Sequence, residues 1–253
     1  MKKIILLGCL FVLSACASSD AQIGEYLKKH PQAVFDVIEQ NPEAFIDVVN
    51  KAARKAQENA QQKQVAETRK QQEDQLKNPL KPHIEDSRRL VGTKDGKITI
   101  VEYADFQCPA CAMAHVRLKQ FMEKHQGDVQ FFYKNMPLDF HPMAEPAARY
   151  FEALMRQDSV KAKKFYDHLF ENQREMKNEE FLIQSAKKVG ADMQRVARDV
   201  KSPEVRKVIE ADMSEFEKMG FNGTPVIVIN GVSMYGAQPL EELERVLALT
   251  TQR

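Results

Sequence analysis

The chain has no tryptophan, only four cysteines in 253 residues, and no excess of either charge, since 37 Lys and Arg stand against 36 Asp and Glu. Without an indole ring, intrinsic tryptophan fluorescence cannot report its state. The near-zero net charge supplies no basic field of the kind that binds nucleic acid, so a nucleic-acid partner is excluded. One stretch alone is apolar enough to consider for a membrane, Ile4 to Leu13. It is about half as long as a spanning helix must be, which excludes an integral membrane protein. Hydrophobic residues make up 43% and charged residues 29%, which excludes a disordered chain and suits a soluble globular one.

What the first residues do contain is an address. Met1-Lys2-Lys3, the apolar run and then Ser14-Ala15 follow the charged, apolar, small order of a secretory signal peptide. The run ends in Leu13-Ser14-Ala15-Cys16, which resembles the bacterial lipoprotein signal. That resemblance implies a signal over residues 1–15 and a lipid-modified Cys16 that anchors the mature protein to a membrane. A plain signal peptide cut nearby, with Cys16 incidental, is the alternative. Ala17, where an inner-membrane retention signal would place Asp, resembles an outer-membrane destination facing the periplasm. Loss of Lys2 and Lys3 leaves 35 basic against 36 acidic residues in the mature chain.

The cysteine count then becomes informative. Cys9 leaves with the signal and Cys16 carries lipid, so only Cys108 and Cys111 remain in the folded body. A secreted protein stabilised by disulfides scatters its pairs over long loops. A bridge across two intervening residues restrains almost nothing in the unfolded chain, so this pair is chemical in purpose.

Residues 16–24 read as a short tether and 25–78 as an N-terminal helical segment. His30-Pro31-Gln32-Ala33-Val34-Phe35-Asp36-Val37-Ile38 is echoed eleven residues later by Asn41-Pro42-Glu43-Ala44-Phe45-Ile46-Asp47-Val48-Val49. Each unit predicts a short helix opened by Pro, with an apolar ridge that one short helix cannot bury. Residues 51–77 carry seven Lys/Arg, four Asp/Glu and seven Gln. They predict a solvated helix spanning roughly 40 Å. The uncovered ridges point to a homo-oligomer formed through residues 22–77, the alternative being that they fold back onto the rest of the chain.

From Ile98 the pattern changes. Ile98 to Tyr103 is a near-continuous β-prone run, as in a strand covered on both faces. Residues 108–125 predict a helix and Val129 to Lys134 a second strand. A helical block follows over 142–219, including a helix from Asn178 to a stop at Gly190 and one from a Ser202 cap through Pro203 to Gly220. Pro225 to Ile229 predicts a third strand, Asn230-Gly231 a hairpin turn into Val232 to Tyr235, and Pro239 to Leu249 a closing helix.

Asp105-Phe106-Gln107-Cys108-Pro109-Ala110-Cys111 follows the first strand, and Gly223-Thr224-Pro225 precedes the third. With the element order, these motifs resemble the DsbA-like thiol–disulfide oxidoreductases over about residues 80–250. The resemblance implies an α/β thioredoxin fold with a helical insertion (142–219) within 79–253, preceded by the N-terminal α-helical segment. The spacing has its own physical sense, because only the first of two cysteines at a helix start meets the positive end of the macrodipole. Cys108 is the expected nucleophile and Cys111 the resolving thiol. The family implies a cis bond before Pro225, a client chain held by the backbone at Thr224 beside Pro109 and Ala110, and a buried proton carrier at Glu102. The alternative for Glu102 is a strand residue at a rim, salt-bridged to Lys. Ala110 departs from the strongly oxidising members, which tend to carry a polarising residue there.

His115 completes a Cys-x-x-Cys-x-x-x-His set that three soft ligands could form, but a solvent-facing helix residue is the reading preferred here. Asp105 reads as a solvated or capping acid and His141 as a turn residue. No metal or organic cofactor is expected. The expected partners are cysteine-containing envelope or secreted proteins and a membrane redox partner. Rival readings are an oligomeric isomerase or reductase using the same cysteines, and a non-catalytic thioredoxin-like binding lipoprotein.

Overall fold

The computed structural model describes residues 20–252; Cys9, Cys16 and the expected signal lie outside them. The chain divides into two compact units at Ala66/Glu67. The first holds helices α1 (Asp20–Lys29), α2 (Gln32–Gln40) and most of α3 (Pro42–Lys77). The expected tether is therefore helical from Asp20 onward. The second repeat unit is not a separate short helix either, because α3 runs from Pro42 to Lys77 without a break. No Gly or Pro falls between Glu43 and Asn78 to stop it. Within this first unit Val34, Phe35, Val37, Phe45, Ile46, Val48 and Val49 are all exposed.

The second unit is built on a five-stranded sheet in the order β1-β3-β2-β4-β5. Its strands are β1 (Arg89–Gly92), β2 (Ile98–Ala104), β3 (Val129–Asn135), β4 (Val226–Ile229) and β5 (Val232–Tyr235). β2 and β3 are parallel, joined through α4 (Pro109–Lys124), and the other pairs are antiparallel. Between β3 and β4 lies the insertion, α5 (Ala144–Met155), α6 (Ser159–Glu171), α7 (Glu179–Lys188), α8 (Met193–Asp199) and α9 (Pro203–Lys218). The closing helix is α10 (Leu240–Thr251).

The apolar run of β2 is buried on both faces because its alternate residues enter different cores. Ile100 and Ala104 join Phe131 and Tyr133 under Leu118 and Phe121 of α4, Phe165 and Leu169 of α6, and Leu243 and Val246 of α10. Val101 and Tyr103 pack on the opposite face with Phe132, Phe216, Phe221 and Val228. The expected caps are formed: the side chains of Asn178 and Ser202 accept from the amides of Phe181 and Val205. The Asn230-Gly231 turn has φ of 46° and 87°, as a two-residue hairpin turn requires.

Two elements escaped the sequence reading. β1, opened by a 3₁₀ turn at Asp86–Arg88, pairs with β3 at the edge of the sheet. Gly92 lets the two backbones close there, since a Cβ at its φ of +86° would lie 1.7 Å from the Val129 carbonyl oxygen. The end of α3 is also not solvated: Gln72 and Gln75 are buried. Gln75 accepts from the Ser233 amide at 2.8 Å and donates to the Ser233 hydroxyl at 2.9 Å, while Leu80 N–H bonds the Gly231 carbonyl at 2.9 Å.

A buried ionic network ties the insertion to the sheet. Arg88 donates to Asp212 at 2.7 and 2.9 Å and to Glu152 at 2.7 Å, and Asn135 donates to the same two carboxylates. Lys134 pairs with Asp212 and Glu215. Removing one member of such a network strands its partners in a dry interior. Arg88→Met should cost about 3–5 kcal/mol of unfolding free energy. A urea titration followed by circular dichroism measures it, and a loss no larger than that of a surface substitution would contradict the role given to the network.

Candidate functional site

The site forms where β2 ends and α4 begins. The Asp105 side chain is buried and accepts from the amides of Gln107 at 2.7 Å and Leu138 at 3.0 Å, and its Oδ2 lies 2.7 Å from His141 Nδ1. It is thus an internal tie rather than a solvated acid, and it joins the loop before α4 to the loop after β3. Cys108 follows at the helix N-cap with extended backbone, and Pro109 occupies the first helical turn, where its missing N–H costs nothing. The insertion closes the loop from the other side. Gln173 donates to the carbonyls of Phe106 and Cys108 at 2.8 and 2.9 Å, and Gln107 bonds the backbone of both Met143 and Met176.

Both cysteines are free thiols, Cys108 at 7% exposure and Cys111 at 0%. Their acidities are driven in opposite directions. The Cys108 thiol is lowered to about 5, chiefly because the Cys111 thiol donates to its sulfur. Partial burial opposes this, while the Thr224 hydroxyl and the backbone N–H groups of Cys111 and Ala110 add to it. Backbone donors of the first turn, the stabilisers expected from sequence, therefore rank behind two side chains. Burial pushes Cys111 well above the ordinary thiol range, and its bond to Cys108 adds to the effect.

Thr224 and Pro225 face this pair, with Cys108 Sγ 3.6 Å from the Thr224 carbonyl oxygen. The Thr224–Pro225 peptide bond is cis, and Pro225 is buried. The Thr224 Oγ1 is buried with no hydrogen-bond partner while Cys108 is a thiol. A thiolate supplies the acceptor it lacks. Pro109 is exposed and Ala110 half-buried on the rim.

Glu102 lies on the face of β2 shared with Ile100 and Ala104, under α4. It is fully buried and is neither a rim residue nor paired with Lys. The Tyr166 hydroxyl of α6 donates to Oε2 at 2.6 Å, and Oε1 has no hydrogen-bond partner. Burial raises its carboxyl to about 8, against the opposing Tyr166 bond.

His115 corrects both sequence readings of that residue. It is 2% exposed, so it does not face solvent, and its Nε2 pairs with Asp167 Oδ1 at 2.9 Å rather than joining the cysteines. No group of three or more His, Cys, Asp or Glu able to hold a metal ion occurs among the described residues. Nor is any described helix long and apolar enough to cross a membrane. Gln173, Tyr166 and the Thr224 hydroxyl were missed because they act across the fold, and no local motif marks them.

Two outcomes follow from these environments. A bond from a neutral hydroxyl to a charged sulfur is worth about 1.5–3 kcal/mol. Thr224→Val should therefore raise the Cys108 titration, followed by thiolate absorbance, by about one pH unit or more. An unmoved titration would remove Thr224 from the thiolate site. For Glu102, the folded protein keeps a proton that the unfolded chain loses near pH 4.5, so its contribution to stability is full below that pH and is lost as pH rises through about 8. Glu102→Gln cannot ionise and should gain stability over the native chain as pH increases, by on the order of 3–5 kcal/mol above pH 8. Denaturant midpoints at acidic and alkaline pH test this; a gain that does not grow with pH would contradict it.

Comparison with known proteins agrees with this geometry. Residues 84–248 match the sequence model of the family described as thioredoxin. The chain is 29% identical over 172 residues to the Na(+)/H(+) antiporter NhaA of Herminiimonas arsenicoxydans, a match covering 68% of this chain and 26% of the antiporter. It thus spans about a quarter of the length of that relative. It is 28% identical over 156 residues to the probable disulfide bond formation protein D of Bacillus cereus, covering 57% of this chain and 71% of that one. A solved thioredoxin-like oxidoreductase from Silicibacter pomeroyi superposes with a TM-score of 0.59 at 25% identity, over 67% of this chain and 99% of its own. The chain belongs to the thioredoxin family, with a helical insertion between the third strand of its sheet and the fourth.

Proposed function

We propose that the protein is a thiol–disulfide oxidoreductase of the bacterial envelope, lipid-anchored through Cys16 and facing the periplasm, with the outer membrane favoured. The observation that carries the reading is the pairing of one acidic, slightly exposed sulfur with one buried, weakly acidic sulfur beside Thr224-Pro225. In the oxidising direction a client thiolate attacks Cys108 Sγ of the Cys108–Cys111 disulfide, and Cys111 leaves as thiolate. A second client thiol then attacks the mixed disulfide, displacing the Cys108 thiolate. The client loses two electrons and two protons, and Cys108–Cys111 gains them. A low thiol pKa makes Cys108 a good leaving group, which favours release of an oxidised client. Glu102 serves as the buried proton carrier for Cys111. Thr224, Pro109 and Ala110 form the rim that holds the client chain, and Pro225 backs the sulfurs. A membrane redox partner restores the disulfide.

A second reading, an oligomeric isomerase or reductase, is favoured by one feature. The exposed ridges of α2 and the start of α3 suit pairing between copies of the chain through residues 22–77. A non-catalytic binding lipoprotein gives no account of the opposed acidities of Cys108 and Cys111.

In cells, Cys111→Ser should trap client proteins as mixed disulfides on non-reducing gels and Cys108→Ser should trap none. Clients trapped equally by both variants would overturn the assignment of the nucleophile. Alkylation of the native chain reads the direction: a resident disulfide means oxidase, a resident dithiol isomerase or reductase. For the oligomer, a chain starting at Ala21 should sediment as a multimer, and one starting at Glu67, which keeps Gln72 and Gln75, as a monomer without isomerase activity. A monomeric longer form would leave the simple oxidase.

A further inference from the structure

The chain holds two Asn-Gly pairs, Asn222-Gly223 and Asn230-Gly231, and the second unit treats them in opposite ways. In the hairpin turn the Asn230 side chain is locked. Its Oδ1 accepts from the Thr99 amide at 2.8 Å and its Nδ2 donates to the Thr250 hydroxyl at 3.2 Å. Asn222 and Gly223 are exposed, in the irregular stretch between α9 and β4. Among the described residues the Asn222 side chain has no hydrogen-bond partner, and the Gly223 N–H donates to no acceptor.

An asparagine followed by glycine is the sequence most able to react with itself. The Gly223 nitrogen, giving up its proton to water, bonds to the Asn222 side-chain carbonyl carbon, and the amide nitrogen leaves as ammonia. Water then opens the cyclic imide at either carbonyl. One product is an aspartate in the ordinary chain; the other is an isoaspartate, whose main chain runs through the side-chain carbon. No electrons are exchanged, and water is the only co-reactant. Glycine permits the closure because it has no Cβ to crowd the ring and its backbone turns freely. At Asn230 two side-chain bonds, each worth about 1 kcal/mol, must break before its carbon can swing toward Gly231.

We propose that Asn222-Gly223 is a self-modification site, where slow deamidation rebuilds the wall of the thiol pair. The consequence for catalysis, though not the modification, rests on the oxidoreductase reading above. The segment is short and tied at both ends. Phe221 N–H donates to the Phe216 carbonyl at 3.2 Å, and Gly236 N–H donates to the Pro225 carbonyl at 2.8 Å. An isoaspartate adds one main-chain atom between those ties, and the strain falls on Thr224. That is the residue whose carbonyl oxygen lies 3.6 Å from Cys108 Sγ. Either product also adds a negative charge to the loop. The present neighbours of the Cys108 sulfur, the Cys111 thiol, Thr224 and the amides of the first turn, carry none. Two residues span at most about 7 Å. The new charge therefore stands close enough to Cys108 to oppose its thiolate.

The test ages the full chain at neutral and mildly alkaline pH and maps its peptides by mass spectrometry, separating aspartyl from isoaspartyl forms. Asn222 should be converted, and Asn230 about tenfold more slowly or not at all. Gly223→Ala should slow conversion by about tenfold. The fold accepts that change, since a Cβ at Gly223 meets no atom within 4 Å and its φ is not positive. The aspartyl form, and Asn222→Asp made directly, should titrate Cys108 by thiolate absorbance about 0.3 pH units higher. The isoaspartyl form should titrate higher still and lose most of its turnover of a reduced peptide with glutathione disulfide. An aged chain with Asn222 intact, or Asn230 converted as fast, would overturn the modification site. A converted chain with the titration and turnover of the fresh one would overturn its link to the sulfurs. A fresh chain that forms no mixed disulfide at Cys108 would overturn the oxidoreductase reading and the catalytic consequence with it, while the peptide map still decides the modification.

Discussion

The Asp105 side chain is the point at which three segments meet. It holds the amide of Gln107 ahead of the active helix and the amide of Leu138 and ring of His141 beyond β3. A buried acid with three partners cannot be moved without leaving several polar groups unsatisfied at once. That fixes the loop whose next residues are Gln107 and Cys108, and so fixes where the first sulfur meets the helix N-terminus. The later contacts at the site, from Gln173 to the Thr224 carbonyl, assume that placement.

The site sets two otherwise identical side chains apart. Cys108 and Cys111 are separated by less than one helical turn, yet one thiol is made acidic and the other a reluctant acid, the difference on which the proposed chemistry rests. The asymmetry is self-reinforcing, since the proton retained by Cys111 is the one donated to Cys108. The insertion takes part in this rather than decorating the fold. Its Gln173 holds the Cys108 carbonyl, and its Tyr166 supplies the hydroxyl that meets the Glu102 carboxyl.

Much of this arrangement is legible in the primary structure, and the exceptions share a cause. Cys108 and Cys111 stand out because a lone pair at a helix start has no structural use. Glu102 stands out because an acid interrupts an apolar strand. β2, β3, the capped helices α7 and α9 and the Asn230-Gly231 hairpin all carry local patterns of burial or capping. β1 does not: four residues beginning with Arg89 show no alternation, and only the pairing with β3 makes them a strand. His115 failed for a related reason. Helical spacing tells which side of α4 it occupies but not that α6 packs there. Gln72 and Gln75 likewise look solvated until β5 and α10 are placed beside them.

β5 lies at the end of the sheet, where an open strand offers its amides to any extended segment that passes. The Gln75 side chain fills one of those positions as the next strand would, with an oxygen for the Ser233 amide and a nitrogen for its hydroxyl. A glutamine on a helix cannot propagate a ladder, so the sheet is terminated there rather than extended. In a protein whose proposed work is to hold partly unfolded chains, that stopper separates two kinds of encounter. On the proposed reading, extended clients are met at the Thr224-Pro225 end of β4, while the adjacent margin is kept from pairing with them. Cleavage that removed the end of α3 would leave the cysteines in place but strip Gln75 from Ser233 and open the edge of β5 to strand pairing.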